Sequence, residues 1–251
     1  MRDPRMNQLF VNSNEPSEIL NMTDIPEYNL EDWEFKDSKD FTKYIKYLEQ
    51  TIRGSIEYRE YIQYLRNAFE MNRCTIYMNV SNNLTNNIKI EIHHDPLTLY
   101  DICLIVFRKR QAAGEPLDED NVAKEVMWLH YNNMVGLIPL SETIHELVHN
   151  GVIFIPTTHV FGNYKLFVEA YKPFFTIEQN DMLNEIERAS KEFDYDKYKE
   201  ILAHKELYIN DGYSKDFNEE IINLLKDCKK KMIEKFYSRR WQINGKRQCI
   251  G

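Results

Sequence analysis

Two pairs of histidines are the residues of this chain whose type and spacing could do chemistry. His93 and His94 are adjacent and run into Asp95-Pro96, while His145 and His149 stand four apart in the stretch Pro139 to Gly151. Ser141 suits a helix N-cap, Glu142 suits the positive end of the helix dipole, and Gly151 is a C-terminal stop, so this stretch predicts a helix of about two to three turns. Imidazoles one turn apart project side by side, and two of their nitrogens can share one divalent cation. The spacing alone leaves open what such a metal would do.

The elements that must hold these residues change period along the chain. Residues 1–38 are rich in Asn, Glu, Asp, Ser and Pro and read as a polar arm laid over the body. Residues 39–71 form a helical region, with apolar and aromatic residues at helical spacing (Tyr44, Ile45, Leu48, Ile52, then Tyr61, Ile62, Leu65) and Gly54 separating or bending two helices. Cys74 to Val80 and Ile88 to Ile92 alternate as strands do, with the polar turn Ser81 to Asn87 between them, and predict a hairpin whose second strand delivers His93 and His94. Strict alternation sends those two side chains to opposite faces, unless the strand bends or ends before Pro96. Leu97 to Gln111 and Asp118 to Asn132 read as helices, inserted at 97–132. Val135 to Leu140 is a short apolar strand feeding the two-histidine helix. Val152 to Pro156 and Tyr164 to Tyr171 read as further strands, and from Thr176 onward the chain is mainly helical.

Composition frames these readings. A chain of 251 residues, 43% hydrophobic and 13% aromatic, can bury a sizeable core. No apolar run reaches the length of a membrane span, and the first residues are polar and acidic, unlike a signal peptide. A cytoplasmic protein with no membrane partner is expected. Cys74, Cys103, Cys228 and Cys249 are scattered without a CxxC pair, which argues against a cysteine zinc site or a disulfide framework. The net charge of −8 is unevenly spread: residues 226–251 hold nine basic residues against two acidic ones. There Lys229, Lys230, Lys231, Arg239 and Arg240, interleaved with Phe236, Tyr237 and Trp241, form a candidate nucleic-acid-binding segment. A solvated amphipathic helix is the alternative reading of the same residues.

A strand ending in His93-His94-Asp95, a later Leu-Ile-Pro-Leu strand, and a short helix with His145 and His149 together resemble the HNH endonucleases of the ββα-metal, or His-Me finger, superfamily. The resemblance covers His93 to Asp95 and Gly136 to Gly151, and the Asn- and Tyr-rich style resembles that of phage-encoded members, whose place would be the host cytoplasm. It implies an α+β fold with a ββα-metal core at 72–172, inserted helices, and helical N- and C-terminal regions, the latter at 173–251. It further implies hydrolysis of phosphodiester bonds, DNA ahead of RNA. His94 would be the general base, and His93, His145 and His149 would hold one divalent cation: Mg, Mn, Ni or Zn. Two departures stand out. The family's central Asn, which orients the loop around the base, falls at Gly136, with Asn132 and Asn133 as nearby substitutes, and about fifty residues separate His94 from His145.

Two other functions fit parts of the same sequence. His145-Glu146-Leu147-Val148-His149 satisfies the HExxH pattern of zinc metallopeptidases, with Glu146 activating water and Glu169 or His159 as a third ligand, but this leaves His93 and His94 unused. A non-catalytic protein stapled by a metal and serving as a scaffold or binding partner is the third reading, favoured by Gly136. His130, beside Trp128 and Leu129 in an apolar helix, reads as structural. His159 and His204 have no partner in the pattern.

Overall fold

Tyr44, Ile45, Leu48 and Ile52 recur along one stripe of α1 (Ser38–Gly54), and all four are buried. That stripe is what makes this polar sequence a helix of a folded body. The structure is a computed structural model that describes residues 38–77, 80–81, 89–208 and 220–235. The arm at 1–37 and the residues after 235, Arg239 and Arg240 among them, lie outside the described residues. Among the described residues the fold is α+β: mostly helical, with one two-stranded antiparallel sheet. The chain divides into two compact units.

The first unit runs to Ser141 and includes Phe161–Phe175. Gly54 does separate two helices: α2 (Ile56–Ala68) starts two residues on, its first turn capped by Ser55, whose Oγ accepts from Tyr58 N at 3.1 Å. The inserted segment forms the two expected helices. In α3 (Leu99–Ala113), Thr98 and Asp101 form a reciprocal capping box and Gly114 closes the helix at φ 66°. Asp118 caps α4 (Glu119–Tyr131). Both pack against α1. They are also cross-tied by charge: Arg110 Nη1 pairs with Glu125 Oε2 at 2.8 Å, and Tyr171 Oη donates to Glu125 Oε1 at 2.7 Å.

The sheet corrects one expectation. β1 (Ile90–His94) pairs not with Cys74 to Val80 but with β2 (Leu137–Ser141), in the register His93 to Ile138 and His94 to Leu137. Residues 73–77 form no strand; Arg73 bridges to Ser81 and Cys74 N donates to Val80 O at 2.8 Å. Ile76 and its neighbour Tyr77 are both buried, which a strand with one wet face does not allow. The segment then serves as a cover. Thr75 N donates to Pro139 O at 2.9 Å, and Leu137 exchanges two backbone hydrogen bonds with Phe161, at 2.8 and 2.7 Å.

Tyr164 to Tyr171 is likewise a helix, α5, rather than a strand. Its buried residues are Tyr164, Phe167 and Tyr171, a helical spacing, whereas Leu166 is exposed. The aromatic, β-prone composition misleads because packing, not propensity, decides a segment this short.

The second unit comprises Glu142–Val160 and the chain from Thr176 on. It holds α6 (Glu142–His149), α7 (Ile177–Glu192), α8 (Tyr195–Tyr208) and a helix, α9, over residues 220–235. Val152 to Pro156 forms no strand among the described residues, a further correction; Phe154 N donates to Leu225 O at 3.2 Å. Phe154 forms a core cluster with Ala189 and Met232, and Thr157 N donates to Ser190 Oγ at 3.0 Å.

Candidate functional site

β1 presents His93 and His94 as consecutive residues, so their side chains leave opposite faces of the strand. His94 goes into the first unit. Its ring stacks on Tyr58 of α2, at 6.2 Å between centroids and 14° between planes, and it is 3% exposed. Its Nε2 lies 2.9 Å from Nε2 of His130, which is 1% exposed. Tyr58 and Tyr61 both turn their rings edge-on to His130. His130 is not idle filling: its Nδ1 lies 2.7 Å from the carbonyl of Val126, one turn back on α4, and must donate to it. The Nδ1 of His94 is buried and has no hydrogen-bond partner among the described residues.

Burial penalises the charged imidazole and holds both rings neutral. It pushes His130 down to about 4, with the Val126 carbonyl opposing the shift. His94 lies well below the usual imidazole value, first through burial and then through His130 beside it.

In the second unit, α6 carries His145, half-buried, and His149, exposed. Their Nε2 atoms are 3.0 Å apart and their rings perpendicular. Two imidazole nitrogens sharing a tetrahedral zinc-type ion at 2.0–2.1 Å stand roughly 3.3 Å apart, so this pair suits one such cation with little movement. The helix ends as expected, with Gly151 at φ 65° and its N–H donating to Val148 O at 2.9 Å. Ser141 is not its side-chain cap. It is the last residue of β2, and its buried Oγ has no partner among the described residues.

At Gly136, where the resemblance expected an Asn, the contacts are made by backbone. Gly136 O accepts from Asp95 N at 3.1 Å, tying the end of β1 to the start of β2. Asn133 sits at φ 58°, and its carbonyl accepts from Asn163 N at 2.7 Å, while Asn132 Nδ2 turns back to its own helix at Trp128 O. Gly162, at φ +98°, presses against Val135 so closely that a Cβ there would lie 2.0 Å from the Val135 carbonyl oxygen.

The remaining candidates separate cleanly. Glu146 is exposed on α6. Glu169 is exposed on α5, a helix where a strand was expected. His159 lies in a 3-10 turn, stacked on Tyr195 and edge-on to Tyr198, and burial lowers its pKa. Lys229, Lys230 and Lys231 ride on α9, the last two exposed, while Lys235 pairs with Glu192 at 2.5 Å. His130 is the functional candidate that sequence reasoning passed over. The available signal was its place on the buried stripe Val122, Val126, Leu129, His130, where an imidazole needs a polar partner.

Compared with known families, residues 4–216 match the model of the bacteriophage G278-like virion proteins. The chain belongs to this family. No curated protein and no solved structure matches it. Membership makes this phage virion protein phage-associated, and a virion component is not confined to the host cytoplasm, which corrects the expected location. No helix among the described residues of the virion protein is long and apolar enough to cross a membrane.

Proposed function

We propose that this virion protein is a metal-dependent nuclease that hydrolyses phosphodiester bonds, DNA ahead of RNA, on a ββα-metal core. The observation that carries the reading is the His94 imidazole, anchored at one nitrogen and bearing an unpartnered buried lone pair at the other. Leaving such a group unsatisfied costs about 1–3 kcal/mol, and a fold keeps that cost where a ligand or reactant supplies the missing partner.

This reading requires the end of β1 to turn so that His94, which leaves the strand face opposite His93, meets the attacking water; His94 Nδ1 then takes its proton. His130 Nε2 accepts the opposite N–H and so stabilises the imidazolium that forms. His93, His145 and His149 would hold the divalent cation. When bound, the cation offsets charge on the phosphate and the departing 3′ oxygen. An all-imidazole donor set favours Mn, Ni or Zn over Mg. Lys230 and Lys231 on α9 hold the backbone.

A metal-stapled scaffold is the second reading, and the enclosure of His94 together with Gly136 favours it. Supercoiled plasmid, single-stranded DNA and RNA incubated with each of the four metals separate the two. Cutting that is lost in His94→Ala and kept in Glu146→Gln supports the nuclease. Metal that raises Tm in the wild type but not in His149→Ala, with no cutting of any substrate, sinks the nuclease and leaves the scaffold. Cleavage of a protein substrate that is lost in Glu146→Gln and kept in His94→Ala would point to peptidase chemistry instead.

A further inference from the structure

We propose that His130 is a positioning residue for His94: it fixes that ring with Nε2 protonated and Nδ1 presented as the bare, basic nitrogen. The argument is one of donors and acceptors. The Val126 carbonyl can only accept, so the proton of His130 sits on Nδ1, and a neutral His130 then has a lone pair at Nε2. The neighbouring His94 Nε2, 2.9 Å away, must supply the hydrogen. A neutral His94 has only one ring proton, so its Nδ1 carries none. Both rings are shut away from solvent, 3% and 1% exposed, which disfavours a charged imidazole at either.

Packing restricts the alternatives. A flip of the His94 ring would set carbon against His130 Nε2 and strip the bond, while Tyr58 stacked on one face keeps the ring plane in place. Tyr58 and Tyr61 block rotation of His130 from the side. The carbonyl at the far end of the relay belongs to a regular turn of α4 and is itself fixed. An inserted helix thus supplies the orienting contact at a base whose family Asn is replaced by Gly136. This assignment rests on the nuclease reading for its consequence, not for its geometry.

The test therefore has two arms on the full-length protein. Nitrogen-15 NMR of the histidine rings should show a proton on His94 Nε2 with scalar coupling across the N–H···N bond to His130 Nε2, and His94 Nδ1 unprotonated. In His130→Gln, whose amide oxygen can accept, the His94 Nε2 proton stays slow to exchange; in His130→Leu it exchanges at least tenfold faster. Plasmid cleavage should fall at least tenfold in kcat, with KM little changed, in His130→Leu, and recover in His130→Gln. A proton found on His94 Nδ1, no coupling between the rings, or full cleavage by His130→Leu would overturn the assignment. Correct tautomers in a wild type that cuts nothing would leave the His130–His94 bond standing and dispose of the nuclease alone.

Discussion

Replacing Gly162 by Ala tests whether β2 is held in place from outside the sheet. The added Cβ would lie 2.0 Å from the carbonyl oxygen of Val135, so one backbone must retreat by more than an ångström to reach ordinary contact near 3.4 Å. Neither side is free to do so. Phe161 and Leu137 exchange two hydrogen bonds, and Asn163 N is bonded to Asn133 O. Breaking two or three such bonds costs about 0.5–1.5 kcal/mol each. Forcing an alanine to φ near +98° adds roughly 1–3 kcal/mol. The expected loss is about 3–5 kcal/mol, a large share of the roughly 5–15 kcal/mol by which domains are stable. Urea titration followed by far-UV circular dichroism measures it, with Gly54→Ala as control, since a Cβ at Gly54 meets nothing within 4 Å. A loss below about 1 kcal/mol in Gly162→Ala would refute the claim that the 133–136 loop and Phe161 clamp the strand.

Three other outcomes are expected. Tyr171→Phe, which leaves Glu125 with one partner fewer, should cost about 1–2 kcal/mol in the same titration. Stability should fall with acid through the buried imidazoles: His130 stays neutral when folded down to about 4 but charges near 6.5 when unfolded, so the unfolded chain binds more protons across that interval. The loss approaches about 3 kcal/mol by the lower end of that window, with His94 adding in the same direction, and His130→Gln should flatten the pH dependence of Tm between 6.5 and 4. Charge reversal at Lys230 and Lys231 should weaken binding of a single-stranded oligonucleotide and reduce its salt dependence by about two counterions; an unchanged salt slope would remove α9 from the interface.

The parts of the fold that were legible in the sequence are those whose signal is local. Four helices of the first unit announce themselves by their apolar stripes, and the structure adds caps at Ser55, Thr98 with Asp101, and Asp118. Gly54 marks a helix end as read, and so does Gly151 after α6 of the second unit. Strand pairing was not legible, because nothing in Ile90 to His94 says which of two apolar segments it will meet, and the partner lay more than forty residues away. Tyr164 to Tyr171 carries alternation and helical spacing at once, and only burial chose between them. At the site, the His145–His149 pair followed from spacing alone. The His94–His130 bond did not, since it joins a strand to an inserted helix across thirty-six residues, and a lone histidine on an apolar stripe does not name its partner.

Pro139 has no N–H to offer, its carbonyl is taken by Thr75, and Leu137 gives both of its outward backbone groups to Phe161. Strand β2 is therefore closed to any further strand on that side. This matters wherever copies of a virion protein meet at high concentration. A sheet that cannot be extended from that edge of β2 cannot zip neighbouring chains through it.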